Sequence, residues 1–220
     1  MIRNIILDYG GVIIDIDYEA PARYLERLQV PQFRALFSAH YQHPLFDAFD
    51  RGQITEAAFR NQLRQVLGVP LTDEQIDEAW NSMIVQIRPE KIDLLRRLYA
   101  EDYHMFLLSN TNFIHLKFLT KYLLRHYEKP TLEEFFDKVY YSCILGLRKP
   151  DPAIFQRVID ENALRPQETL YVDDQLTHVQ AAAALGLIAV QYNPATDLEA
   201  LLRRLIAAHA EQSRQQAVSE

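Results

Sequence analysis

The sequence predicts an α/β protein: a Rossmann-like, doubly wound parallel sheet of about five strands, with a small helical cap inserted after the first strand. Three observations predict it. Short apolar runs alternate with amphipathic helical patterns through most of the chain, the rhythm of strand–helix–strand units. Those runs do not alternate cleanly with polar residues, as expected of strands covered on both faces. Residues 16–88 break the rhythm with several helical patterns and no convincing strand. A chain of 220 residues suits one core domain carrying an insert.

The elements follow in order. Residues 4–8 read as a short buried strand that ends on Asp8 and turns at once through Gly10 and Gly11. The insert holds EAPARYLERLQ, PQFRALFSA, TEAAFRNQLRQVLG and TDEQIDEAWNSMI, all helical in period. Thr55 and Thr72 are expected N-caps, each with acids in the following turn, and Gly68 is an expected helix stop. RPEKIDLLRRLYAED then leads into a second strand at 103–110, and FIHLKFLTKYLLRHY follows it as a helix. Further strands are expected at 138–142, 169–174 and 188–192, with helical DPAIFQRVIDENA and LTHVQAAAALG before the last two. A final helix runs from Thr196 to about Ala210, with Leu198, Leu201, Leu202 and Leu205 on one face. The expected domains are a core of 1–15 and 89–212, a cap of 16–88, and a frayed tail of 213–220 with little to bury.

Composition narrows the function. Apolar residues make up 49% and charged residues 24%, ordinary for a globular protein. A net charge of -7 argues against nucleic acid as a partner, because phosphate backbones select basic faces. One cysteine, Cys143, permits no internal disulfide and fits a reducing compartment. Residues 1–15 lack a signal-peptide pattern, and no run reaches 18 apolar residues, so no membrane is expected and the cytoplasm is the default. There is no glycine-rich dinucleotide fingerprint and no Walker sequence.

Ligands of open α/β sheets sit beyond the carboxyl ends of the strands. Asp8, Ser109–Asn110, Lys149 and Asp173–Asp174 all fall at or just past expected strand ends. Two adjacent acids placed near Asp8 repel one another strongly unless a cation lies among them. Carboxylates and carbonyls are the ligands Mg²⁺ takes.

These stations, in this order, resemble the haloacid dehalogenase-like hydrolase superfamily, in its helical-cap branch. ILDYGGVI, LLSNTN, GLRKPDPAIF and LYVDDQLTHVQAAAALG are similar to its four motifs, and the resemblance covers nearly the whole chain. It implies a magnesium-dependent phosphatase acting on a small phosphorylated metabolite through an aspartyl phosphate, with Asp8 as nucleophile and Lys149 as the basic partner. It further implies Mg²⁺ on the Asp8 carboxylate, the Gly10 carbonyl and Asp173, with Asp174 as a further ligand or the holder of a bound water. The Ser109 hydroxyl, with backbone N–H groups at the Gly10–Gly11 turn and near Asn110, would bind the phosphoryl oxygens. Cap residues of this superfamily select the substrate.

Two departures stand out. The superfamily's phosphatases carry a second Asp two residues after the nucleophile, as acid and base; this chain has Gly10. Such a group is typically worth about 10²–10⁴-fold. One consequence is a phosphatase whose leaving group needs little help, such as a sugar 1-phosphate, an acyl phosphate or an aryl phosphate. The opening DYGGVIIDID resembles a bacterial subset with glycine here that acts on α-glucose 1-phosphate and related sugar phosphates. Two alternatives stay open: a metal-independent 2-haloacid dehalogenase, although that pattern has an aromatic residue at this position, and a weak or inactive relative that binds a phosphate ligand or a protein partner. The second departure is His178 where the fourth motif commonly has Asn; it orients Asp174 or Ser109, stands in for the missing acid and base, or, as the favoured reading, is simply a surface residue.

Other residues draw attention and are expected to be structural. Asp15 and Asp17 are expected to cap the first cap helix. Cys143 has no His partner in the sequence around it. His40 and His43 do not by themselves make a zinc site. Arg51, near the expected cap entrance, is a candidate contact for the leaving group. The expected state is a monomer or homodimer.

Overall fold

The first strand becomes the middle of the sheet. The structure, a computed structural model, describes residues 1–38, 43–101 and 103–219. Strand β1 (Asn4–Leu7) is followed by β2 (Ile14–Ile16), and then by α1 (Ala20–Arg27), α2 (Pro44–Asp50), α3 (Glu56–Leu67) and α4 (Asp73–Asn81). After β3 (Ile84–Ile87) come α5 (Pro89–Ala100), β4 (His104–Ser109), α6 (Phe113–Tyr127), β5 (Lys138–Tyr141) and the short α7 (Ser142–Leu145). The chain ends with α8 (Pro152–Glu161), β6 (Thr169–Asp173), α9 (Leu176–Ala184), β7 (Ile188–Gln191) and α10 (Leu198–Ser219). The sheet order is β5-β4-β1-β6-β7, all parallel, with Asn4 level with His104 on one side and Thr169 on the other.

Side-chain alternation divides this sheet between two cores. Ile5, Leu7, Met105, Leu107, Leu170 and Val172 point to the face covered by α5, α6 and α10. Ile6, Phe106, Leu108 and Tyr171 point to the other face, where α8 and α9 bring Ile154, Phe155, Val158 and Ala182. Residues 5–7 are therefore apolar without a break, because each is buried on one side or the other. The register also aligns the C-terminal ends of β1, β4 and β6, which carry Asp8, Ser109 and Asp173 to one edge.

The insert differs from its sequence reading in three places. Its return strand, β3, pairs antiparallel with β2, with a bulge between Asp15 and Ile16. IVQI buries only its two ends, so it shows neither an alternating nor a continuous apolar pattern. PQFRA forms a five-residue 3-10 turn with Phe33 buried, rather than a full helix. Pro44–Asp50 is a helix with Pro44 at its first position, and the His43 ring caps it by accepting from Leu45 N. His43 thus has a structural task; His40 lies outside the described residues. Thr55 and Thr72 cap α3 and α4, the latter in a full capping box, and Gly68 closes α3 at φ 67°. Asp17 accepts from Glu19 N at the start of α1, whereas Asp15 faces Arg88 and Gln86 and caps nothing. At the other end of the chain, α10 continues to Ser219 instead of fraying. Gln, Glu, Arg and Ala are strong helix formers, and no Gly or Pro interrupts them. Among the described residues no helix is long and apolar enough to cross a membrane.

An aromatic cluster holds the cap together. Phe49 stacks on Phe59 at 4.2 Å, and Trp80 packs against Phe37 and Phe46 at 4.8 and 4.9 Å. The cap shares one buried apolar cluster with the core, and polar contacts tie the two together. Asn112 Nδ2 donates to Asp50 Oδ1 (3.1 Å), and Ser142 Oγ donates to the Asp50 carbonyl (2.6 Å). At Gly52 a Cβ would lie 2.1 Å from the Cys143 carbonyl, so only glycine lets the two backbones approach. The Cys143 thiol is buried, which pushes its pKa up to about 12 and keeps it un-ionised.

His115 lies in the same junction. Its Nε2 is 3.2 Å from the Trp80 carbonyl, and its ring stacks on the indole at 5.2 Å. Burial lowers its pKa to about 4, although the Trp80 carbonyl favours the protonated form. The folded value lies below the ordinary 6.5, so the unfolded chain takes up the extra proton. Stability contributed by this group is complete above that value and falls as pH drops towards 4. At about pH 5 the loss is about 2 kcal/mol by this linkage. Urea unfolding at neutral pH and at about pH 5 should show that loss in the wild type and not in His115→Gln; parallel pH dependences would refute it.

Candidate active site

Lys149 is the centre of the site. It lies in the loop between α7 and α8, fully buried, and each of its three ammonium protons has an acceptor. Asp8 Oδ1 is at 2.8 Å, Asp173 Oδ2 at 2.7 Å and the Leu108 carbonyl at 2.9 Å. The Asn110 side chain fixes the lysine backbone from β4: its Nδ2 donates to the Lys149 carbonyl and its Oδ1 accepts from Lys149 N, both at 2.9 Å. The amide of Asn110 is therefore engaged in positioning Lys149. Any contact from Asn110 to a phosphate falls to its backbone.

Asp8 follows β1 directly. Its backbone N–H donates to the Val172 carbonyl, and its Oδ1 also accepts from Tyr9 N at 2.7 Å. Oδ2 is left for the pocket. Burial pushes the Asp8 carboxyl well above its usual range; Lys149 opposes this, and the charges of Asp173 and Asp174 reinforce it. Three carboxylates thus surround one lysine.

The adjacent acids divide their tasks. Asp173 accepts from Lys149 Nζ, from the Tyr171 hydroxyl, from Gln175 N at 2.7 Å and from the His178 ring at 3.1 Å. Burial disfavours its charge, but Lys149 and His178 outweigh burial and hold it well below the usual carboxylate range. Asp174 has far fewer partners. Its Oδ2 accepts from Gln175 Nε2, while its Oδ1 is buried with no partner among the described residues. Burial first, then the neighbouring Asp173, raise its pKa to about 6. Asp174 packs directly on the turn after Asp8: a Cβ at Gly11 would lie 2.4 Å from Asp174 Oδ2, and Gly11 has φ +73°. Gly10 has no such constraint, and a Cβ there would only press on Ile16 Cγ1 at 3.3 Å.

Asp8, Asp173 and His178 place ligand atoms within 4.8 Å of one another. Lys149 already supplies the cation between Asp8 and Asp173, so the open oxygen is elsewhere, on Asp174. The buried Asp174 oxygen, the Asp8 carboxylate and the Gly10 carbonyl are all oxygen donors, the chemistry a hard divalent ion such as Mg²⁺ takes.

A cavity of about 370 Å³ opens above these residues, between the strand ends and the cap. Ser109 lines it, with its hydroxyl at a long 3.4 Å from the Asn110 carbonyl. His178 also lines it, and burial lowers the pKa of its ring while Asp173 opposes that. Asp15 and Arg51 are not on its wall. Asp15 pairs with Arg88 at 2.7 Å, and Arg51 pairs with Asp47 at 2.9 Å. Sequence reasoning missed Arg148, Asp50 and Trp80. Arg148 was in view, next to Lys149, but its contact with Asp50 Oδ2 (3.2 Å) spans 98 residues and leaves no local signal.

The chain matches the model of the haloacid dehalogenase-like hydrolases over residues 2–186. It is 32% identical, over 87% of its length and 92% of the relative's, to D-ribitol-5-phosphate phosphatase of Bacteroides thetaiotaomicron. A crystal structure of a HAD-family enzyme from the same organism, a variant in complex with magnesium and inorganic phosphate, is 33% identical and covers 92% of this chain and 99% of its own, with a TM-score of 0.85. A predicted HAD-like hydrolase of Porphyromonas gingivalis is 34% identical over 93% of this chain and 98% of its own, with a TM-score of 0.82. The fold, the residues at the strand ends and these similarities agree: the chain belongs to the haloacid dehalogenase-like hydrolase family.

Proposed function

We propose that this chain is a magnesium-dependent phosphatase of a small sugar or polyol phosphate, with Asp8 as nucleophile. The observation that carries the reading is the buried Lys149, held between Asp8 and Asp173, beside the partnerless oxygen of Asp174. The magnesium and phosphate in the Bacteroides structure and the named activity of the Bacteroides relative support it.

The steps follow from the residues. Asp8 Oδ2, the oxygen left open to the pocket, attacks phosphorus; the P–O bond to the leaving alcohol breaks and an aspartyl phosphate forms. Lys149 opposes the burial that favours a neutral Asp8 carboxyl and fixes its rotamer through Oδ1. The Ser109 hydroxyl and the N–H groups of the Gly10–Gly11 turn bind phosphoryl oxygens. Asp8, Asp174 and the Gly10 carbonyl would hold Mg²⁺, which when bound neutralises charge on the phosphoryl group. Water then hydrolyses the aspartyl phosphate. Gly10 offers no side chain to protonate the leaving oxygen. That favours a leaving group more acidic than a simple alcohol, such as the anomeric oxygen of a sugar 1-phosphate. We place the enzyme in the cytoplasm, in keeping with its single, unpaired cysteine.

A phosphate-release screen over sugar 1-phosphates, sugar and polyol 5- or 6-phosphates, nucleotides and acyl phosphates, with and without Mg²⁺, tests this. Asp8→Asn should lose more than about 10³-fold in kcat, and retained turnover would remove the nucleophile from Asp8. Asp174→Asn should raise the Mg²⁺ concentration needed for half-maximal rate by about 10–100-fold, the scale of a lost metal-site partner, whereas an unchanged Mg²⁺ curve would place the ion elsewhere.

The two glycines give a paired test. Gly11→Ala, forced against Asp174, should abolish Mg²⁺-dependent turnover, while Gly10→Ala should stay within about tenfold of the wild type. Gly10→Asp should speed poor leaving groups most, by up to about 10²-fold, the low end of acid–base assistance. A uniform gain across leaving groups would defeat that argument.

A further inference from the structure

We infer that the site selects phosphate monoesters whose leaving group carries no charge of its own, and rejects those with a carboxylate or a second phosphate. The inference rests on the phosphatase reading and adds the class of leaving group.

The wall opposite the strand ends is apolar: Ile16, Phe37, Trp80, Met83 and Ile84 line it. Among the described residues, the charged groups that the cap adds to the pocket are two carboxylates, Asp47 and Asp50. Of the lysines and arginines, only Arg148 reaches the wall, again among the described residues; Lys149 has no exposed surface. Arg148 is already neutralised by the cap. Its Nε lies 3.2 Å from Asp50 Oδ2 and its Nη1 3.6 Å from Asp47 Oδ1. Asp50 is itself buried and held by Asn112, so this pairing is fixed on both sides.

A second anion on the substrate would therefore lose its water against an apolar wall and find no free cation. Asp47 and Asp50 keep Arg148 from serving it, so the cap offers that anion no net attraction. A hydroxylated, uncharged chain meets no such penalty. Its C–H faces lie on Phe37 and Trp80, and a volume of about 370 Å³ admits a short skeleton.

The experiment compares matched substrates with Mg²⁺ present. D-ribitol 5-phosphate is set against 5-phospho-D-ribonate and D-ribulose 1,5-bisphosphate, and glucose 1-phosphate against glucose 1,6-bisphosphate and glucuronate 1-phosphate. In at least one set the uncharged leaving group should lead by about 100-fold or more in kcat/KM. Asp47→Asn removes one of the two acids beside Arg148 at a half-exposed position that leaves the buried Asp50 pair intact; it should narrow that ratio by about tenfold. Charged and uncharged partners within about threefold of each other would overturn the inference while the phosphatase reading stands. An unchanged ratio in Asp47→Asn would likewise overturn it. No Mg²⁺-dependent phosphate release from any of these compounds would overturn the phosphatase reading, and this inference with it.

Discussion

A buried ammonium between two carboxylates is the constraint around which the core is arranged. Removing one member of such a pair typically costs about 3–5 kcal/mol, because the other charge is left without a partner. The protein supports Lys149 accordingly, with three acceptors on its ammonium and two hydrogen bonds from Asn110 on its backbone. Those contacts come from the ends of β1, β4 and β6, so parallel strands in register are what bring the charges together. Stability and chemistry are linked at this residue, and lost activity in a Lys149 variant says little without a measurement of folding.

The same arrangement explains why two adjacent acids are needed. Asp173 is saturated by Lys149, Tyr171, Gln175 and His178 and acts as the structural counter-charge. Asp174 has the oxygen with nothing bound to it. The resemblance to the family gave metal roles to both; Asp173 has ligand atoms within 4.8 Å of those of Asp8 and His178, and Asp174 adds a buried oxygen. No sequence pattern separates the two, because the difference lies in partners distant along the chain. His178 belongs to the same count: its ring supports Asp173 rather than Asp174 or Ser109.

The sheet was legible because its strands are buried on both faces and separated by well-capped helices. All five runs proposed from apolar content became strands within a residue or two, and FIHLKFLTKYLLRHY is α6 from end to end. What failed was short or tertiary. β3 has four residues and a burial pattern with no period, and α2 has only seven residues. The tail was expected to fray because it buries little, yet its local helix propensity sufficed. At the site, motif residues were readable because chemistry fixes their type. The cap residues that line the pocket were not, because an Asp or a Trp in a helix looks the same whether it faces a ligand or a neighbour. Asp15 was singled out for closeness in sequence to Asp8, but as a strand residue with its side chain turned to Arg88 it faces away.

The route by which the chain enters and leaves the cap has a mechanical consequence. Both crossings run side by side through β2 and β3, joined as one ribbon from Ile14–Ile87 to Ile16–Ile84. Only Tyr9 to Ile13 separate that ribbon from Asp8, and the segment is folded into a turn bonded back to Tyr9. Any outward swing of the lid twists the ribbon, and the torque arrives within a few bonds of Asp8 and of the glycine against which Asp174 rests. On the proposed function, the cap and the Asp8 carboxylate are thus joined through one short ribbon, so that admitting a substrate and aligning the attack would be two ends of a single lever.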